Sequence, residues 1–239
     1  MMNKFYGVGV GPGDPELITL KALKVLKEAD IIFAPKSKTK TDSLAREIVE
    51  KVLGEDNGKD IFEIEFPMIN NKEALRKRYL RAAEIILQKI YEGKHAAYLT
   101  IGDPLLYSTY IYLIDALNEA APGLQIETIP GVSAYSALAA RFSYSLAEKD
   151  EKICICPVPE DIGDLREIIT KNDTVVIMKV AKRLEGVIKL LDDMNLLQNS
   201  IFGSRVGLKG ERLISGTKMP FVVSEKEGYL STIIVRRRK

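Results

Sequence analysis

Lys4-Phe5-Tyr6-Gly7-Val8-Gly9-Val10 runs straight into Gly11-Pro12-Gly13-Asp14-Pro15-Glu16-Leu17. The first stretch has the short apolar pattern of a buried strand, and the second has the Gly/Pro chemistry of a tight turn. Asp14 is placed to cap a helix with Pro15 at its first position, and apolar periodicity predicts that helix over Glu16–Glu28. Strand, turn and helix in this order open an α/β fold.

The same order recurs downstream. Ile31–Ala34 reads as a buried strand ending at Pro35, Thr41–Leu53 as a helix, Ile61–Phe66 as an alternating strand, and Lys72–Tyr91 as a long helix stopped by Gly93. Ala96–Ile101 is an apolar strand, and Gly102-Asp103-Pro104 turns the chain into a helix running to Ala120. Ile126–Ile129 is a strand, followed by Pro130-Gly131 and an Ala-rich helix to Arg141. Repeated strand–helix–strand units predict a mostly parallel sheet with helices on both faces. In the second half, Ile153–Cys156, Thr174–Met178 and Ser200–Val206 are strands separated by helices near Ile162–Thr170 and Arg183–Met194. Arg212–Ser215, Phe221–Ser224 and Tyr229–Val235 follow closely, which favours antiparallel pairing. The expectation is two α/β domains, 1–131 and 132–239, the second with a mixed sheet, and an active site in the cleft between them.

Composition narrows the chemistry. Across 239 residues the net charge is +2, which argues against a general nucleic-acid binder. The basic tail Arg236-Arg237-Arg238-Lys239 reads as a solvated, frayed terminus. A single histidine, His95, excludes multi-His zinc sites and His-pair catalysis, and no metal site is expected. Cys154 and Cys156 are too close for an ordinary disulfide and lack metal-ligand spacing, so they read as a buried strand pair. Scarce cysteine, no leader segment and no apolar run of membrane-spanning length predict a reduced, cytoplasmic protein without a membrane partner.

Three turns remain as carriers of function. The first fails the dinucleotide spacing: counted from Gly7 or Gly9, the third glycine position falls on Pro12 or Asp14. Its glycines bring backbone close to a ligand, or they simply make a tight turn. In the second, Gly102 permits close backbone approach, and Asp103 offers a carboxylate to a ligand or caps the following helix. The third is Thr128-Ile129-Pro130-Gly131-Val132-Ser133-Ala134. In an open α/β sheet, ligands lie beyond the carboxyl ends of the strands, so three such turns on one edge favour a small-molecule site.

Gly9 through Ala22, then Gly102-Asp103-Pro104, then Pro130-Gly131-Val132-Ser133-Ala134 resemble, in this order and over essentially the whole chain, the tetrapyrrole methylase family. Ala29 through Ser37, Gly131 through Arg141 and Leu146 through Glu151 are most similar to its precorrin-2 / cobalt-factor II C-20 methyltransferase branch. The resemblance implies methyl transfer from S-adenosylmethionine (SAM) to a bridging carbon of a reduced tetrapyrrole, two α/β domains and a homodimer. It implies a donor site of Pro12, Ile101, Gly102, Asp103, Leu106, Ser133, Ala134, Met178 and Gly207. Gly207 is the least regular match, because the family's Glu-Asn-Gly-Thr is replaced by Arg205-Val206-Gly207-Leu208. A substrate bearing several carboxylates needs cationic donors, for which Lys36, Lys38, Lys40, Arg141 and Lys179 are candidates beside the reading that they are solvated surface charges. Tyr107, Asp103 and Glu148 are nominated as general base, and no catalytic residue is assigned. The alternatives are methylation at another tetrapyrrole position, a non-catalytic cofactor-binding module, and an RNA or protein methyltransferase.

Overall fold

A computed structural model of the chain describes residues 4–36, 43–54, 58–66, 71–216 and 230–237. The chain divides into two compact units, Met1–Ser133 and Ala134–Lys239.

The first unit is built on β1 (Phe5–Gly9), β2 (Ile31–Lys36), β3 (Ile61–Glu65), β4 (Ala96–Thr100) and β5 (Ile126–Ile129). Their order is β3-β2-β4-β1-β5 and every pairing is parallel. The helices α3 (Lys72–Tyr91) and α4 (Tyr110–Ala120) share a core with Phe5, Ile31, Phe33 and Tyr98. The helices α1 (Leu20–Glu28) and α2 (Leu44–Leu53) bury Ala22, Leu26, Ile48 and Val49 and contact β1, β2 and β4. Alternate strand residues face opposite sides, so a sheet covered on both faces buries Ile31, Ile32, Phe33 and Ala34 in succession.

Local chemistry moves three expected boundaries. The Asp14 carboxylate accepts from the Glu16 N–H and caps only a 3-10 turn, Pro15–Leu17. Thr19 Oγ1 then accepts from the Ala22 N–H at 3.1 Å, so α1 starts at Leu20 rather than Glu16. Strand β2 does not stop before Pro35. Among the described residues its outer half pairs with β3 alone, and β4 reaches no further than Phe33, so the missing Pro35 N–H costs no ladder bond. Helix α4 starts at Tyr110 and not directly after Pro104. Ser108 Oγ donates to the Pro104 carbonyl and accepts from the Tyr110 N–H, which holds the intervening residues as turns.

The second unit contains β6 (Ile153–Pro157), β7 (Thr174–Met178), β8 (Ser200–Ser204), β9 (Arg212–Ser215) and β10 (Ser231–Arg236) in the order β6-β7-β10-β8-β9. The β6–β7 pair is parallel and the other pairs are antiparallel, a mixed sheet with its last strand in the centre. The helices α6 (Ile162–Lys171) and α7 (Leu184–Asp193) cover one face over Val175, Ile177, Phe202 and Ile233. Helix α5 (Ala134–Arg141) lies against β8 and β10, and a Cβ on Gly203 would stand 2.5 Å from Leu138 Cδ1. The expected strand Phe221–Ser224 lies outside the described residues.

The basic tail is corrected at its start. Arg236 ends the central strand with its side chain 8% exposed, and its guanidinium meets Glu151 at 2.6 Å and Glu148 at 3.2 Å. The next residue, Arg237, donates from Nε to the Asn172 carbonyl at 2.9 Å. The register that pairs Arg236 with Thr174 carries the charge into the sheet, where a buried cation needs carboxylate partners. Cys154 and Cys156 are free thiols on one face of β6, against the second unit's core. Among the described residues no group of His, Cys, Asp and Glu could hold a metal ion, and no helix is long and apolar enough to cross a membrane.

Candidate functional site

Strands β4, β1 and β5 are parallel neighbours, so the segments that follow them leave the same sheet edge. Backbone bonds tie the first two together: Val10 N–H donates to the Thr100 carbonyl at 2.9 Å, and Gly102 N–H to the Gly11 carbonyl at 2.8 Å. The Asp103 carboxylate ties in the third. Its Oδ1 accepts from Leu105 N–H at 2.9 Å, and its Oδ2 from Gly131 N–H at 3.1 Å. One charged acceptor thus fixes its own turn and the loop after β5.

The glycines divide into two kinds. A Cβ on Gly9 would stand 2.6 Å from the Gly131 nitrogen, and one on Gly131 would stand 2.2 Å from the Gly102 oxygen. These two let the loops touch one another, so of the two readings of the turn glycines, ligand approach or tight turn, the contacts at Gly9 and Gly131 are those of the turn. Gly102 is the exception. It has φ +73, and a Cβ there would meet only the Val132 oxygen, at 4.0 Å. Its α-carbon borders open space, which fits close approach by a flat ligand.

Pro12, Ile101, Gly102, Asp103, Leu106 and Ser133 all lie on these three loops, so the fold gathers them at one edge. Tyr107 shares the second loop and is held at φ +52, an uncommon backbone state for a bulky residue. Lys36 forms an ion pair with Glu63 at 2.8 Å. Burial acts to raise the Glu63 carboxyl, but Lys36, the Ser43 N–H and Arg46 together hold it below its ordinary value. Lys38 and Lys40 lie outside the described residues.

In the second unit, β6, β7 and β8 run in one sense, so Met178 at the end of β7 and Gly207 after β8 leave the same sheet edge. They flank the start of β10, where Met178 pairs with Thr232 and Ser204 with Ser231. Gly207 N–H donates to Glu211 Oε1 at 2.9 Å, and the same carboxylate takes the Arg141 guanidinium at 3.3 Å. Lys179 follows Met178 at φ +54, and Ala134 opens α5. Glu148 is elsewhere: it is bound to Arg236, at the opposite end of the sheet from Met178 and Gly207.

One group escaped the sequence reading. Gly7 lies inside β1 at the level of Tyr98 on β4 and Thr128 on β5, and the Tyr110 ring occupies the space a Cβ would need. No local signal marks this, because Gly7 reads as the first glycine of the turn and Tyr110 is remote in sequence.

The family model for tetrapyrrole (corrin/porphyrin) methylases matches residues 4–218. A protein of Methanocaldococcus jannaschii named probable cobalt-precorrin-2 C(20)-methyltransferase is 40% identical over 243 residues, covering 100% of this chain and 98% of that one. The cobalt-precorrin-2 C(20)-methyltransferase of Salmonella typhimurium is 31% identical, covering 89% of this chain and 87% of its own. Among solved structures, the fold matches a cobalamin biosynthetic enzyme, cobalt precorrin-4 methyltransferase, with a TM-score of 0.70 at 20% identity, over 98% of this chain and 94% of that one. It also matches the uroporphyrin-III C-methyl transferase of Thermus thermophilus complexed with S-adenyl homocysteine, with a TM-score of 0.63 at 22% identity, over 98% and 97% of the two chains. Three motif-bearing loops on one sheet edge, a family match across nine-tenths of the length and a full-length relative at 40% identity lead to one conclusion: this chain belongs to the tetrapyrrole methylase family.

Proposed function

We propose that this protein transfers a methyl group from SAM to C-20, a bridging carbon of a reduced tetrapyrrole of the precorrin-2 / cobalt-factor II type, in cobalamin biosynthesis. The full-length likeness to relatives named for that reaction carries the reading. The open space at Gly102 supports a donor site on the loops after β1, β4 and β5.

When bound, SAM supplies an electrophilic sulfonium methyl. Pro12, Ile101, Gly102, Leu106 and Ser133 hold the donor, and Asp103 keeps the loop carrying Gly131 and Ser133 against the loop carrying Gly102. Ala134, Met178 and Gly207 complete the set the resemblance assigns to the donor. The work of these residues is alignment and exclusion of water, because a fixed in-line approach removes much of the entropic barrier. The bridging carbon would take the methyl group as the methyl–sulfur bond breaks and the donor's sulfur leaves as a neutral thioether, and the methylated carbon would then release its proton. Lys36, Lys38, Arg141 and Lys179 receive the substrate carboxylates, and the reading includes a cytoplasmic homodimer without nucleic-acid or membrane partners.

The test is incubation with methyl-labelled SAM and either precorrin-2 or cobalt-factor II, with the methylated carbon located by NMR. Label at C-20 is expected, and no transfer to either substrate overturns the reading. A Lys36→Ala/Lys38→Ala double variant should weaken tetrapyrrole binding about ten-fold while leaving SAM affinity unchanged, as expected for losing charge-assisted contacts. Unchanged tetrapyrrole affinity removes these lysines from the substrate site.

A further inference from the structure

We propose that Tyr110 is a positioning residue for the donor site, acting through Thr128 on the loop that carries Gly131 and Ser133; this rests on the reading of that loop as part of the SAM site. Tyr110 is fully buried at the start of α4. Its ring lies over Gly7, where a Cβ would come within 2.0 Å of it. It stacks on Tyr98 with ring centroids 6.1 Å apart and on Phe5 at 6.4 Å. Its hydroxyl meets Thr128 Oγ1 at 2.9 Å. Tyr98, Gly7 and Thr128 form one rung across β4, β1 and β5, so the side chain crosses β1 from the α4 side to reach the far strand.

Both ends of this contact lead to the site. Upstream, Tyr110 N–H donates to Ser108 Oγ, which donates to the carbonyl of Pro104, the neighbour of Asp103. Downstream, Thr128 lies on β5, which among the described residues pairs with β1 alone, and the chain continues into Pro130 and Gly131. The segment after β4 is therefore joined to β5 and to its loop at two heights. Asp103 meets Gly131 at the edge, and Tyr110 meets Thr128 beneath it. The β1–β5 ladder and the packing of Gly131 on Gly9 and Gly102 hold the loop's backbone, and the link beneath it ties the loop to the start of α4 as well. The ring alone would fill the core, so the buried, paired hydroxyl is the group that carries this role.

The experiment compares Tyr110→Phe, Thr128→Val, the double variant and Thr128→Ser, with SAM affinity by calorimetry and KM for each substrate separated from kcat. Each single loss of the hydrogen bond should weaken SAM about five-fold, on the scale of one net hydrogen bond. The double variant should be no weaker than either single, and Thr128→Ser should restore affinity, because the coupling belongs to the pair. The tetrapyrrole KM should move less than about two-fold, since the brace acts on the donor loops. Unchanged SAM affinity in the singles, additive losses in the double, or no rescue by serine overturns the proposal. If one single variant fails to fold, the other carries the same comparison. Hydrogen exchange of the Gly131 amide in ligand-free protein separates this inference from the donor reading. Should the wild type bind no SAM, the donor reading falls, while faster Gly131 exchange in Tyr110→Phe still supports the brace and unchanged exchange overturns it.

Discussion

Asp103 shows how one side chain decides a local geometry. Both carboxylate oxygens accept backbone N–H groups, one from its own turn and one from the loop after β5. Asp103→Asn replaces one acceptor with an amide donor, and in the unfavourable orientation that donor faces the Gly131 N–H. A part-buried mismatch of this kind costs about 1–3 kcal/mol, and SAM affinity should fall with it, as calorimetry would record. Gly102→Val should abolish SAM binding by filling the open space at its α-carbon. Positive φ adds about 1–2 kcal/mol of strain to any side chain there, so the thermal midpoint must be followed beside the affinity. A lowered midpoint with SAM affinity intact would remove Gly102 from the donor site. Gly7→Ala is a different case. The added methyl collides with the Tyr110 ring, and overpacking of this kind should lower unfolding free energy by about 3 kcal/mol in urea titration. Acid sensitivity also begins with a single residue. Glu63 titrates below its ordinary value, so its interactions add stability above the usual carboxylate range, and that stability is lost as pH falls toward the folded value. Lys36→Met should flatten that acid limb of the thermal-midpoint profile.

At the scale of elements, caps and registers decide where helices and strands begin. Thr19 starts α1 by accepting from the Ala22 N–H, and Thr19→Ala should cost about 1 kcal/mol in chemical unfolding. Strand β10 shows the opposite kind of control. Its Ile233-Ile234-Val235 run is an ordinary apolar strand former, but its place between β7 and β8 is set by pairing with strands earlier in the chain. That register delivers Arg236 to Glu148 and Glu151, which pins the segment between α5 and β6. Arg236→Ala should free that segment, seen as faster hydrogen exchange over residues 145–151, without moving SAM affinity.

At the scale of the whole molecule, buried neutral acids limit stability on the alkaline side. Burial, with help from Tyr112, pushes the Tyr79 phenol up to about 12, and burial with Cys154 alongside pushes the Cys156 thiol up to about 12. Both groups hold their protons longer in the folded state. Their contribution to the thermal midpoint should therefore be flat below the ordinary thiol and phenol range and fall as pH rises through it toward about 12.

The alternation of apolar strands, Gly/Pro turns and helices determined, from the sequence by itself, two α/β sheets, the first parallel and the second mixed. It also determined that the motif turns follow strands, because period-two and period-3.6 burial and turn chemistry are local properties. Gly102-Asp103-Pro104 and Pro130-Gly131 were legible in this way. Tertiary structure alone decided that β4, β1 and β5 are neighbours, that Gly9 and Gly131 serve loop-on-loop contact, and that Asp103 spends its carboxylate on the chain's own backbone. It alone placed Tyr110 over Gly7, and it turned Arg236 from an expected solvated tail into the buried end of a central strand. Each of these depends on which distant segments share a rung or an edge, and strand order is fixed by packing across the whole chain rather than by any stretch of it.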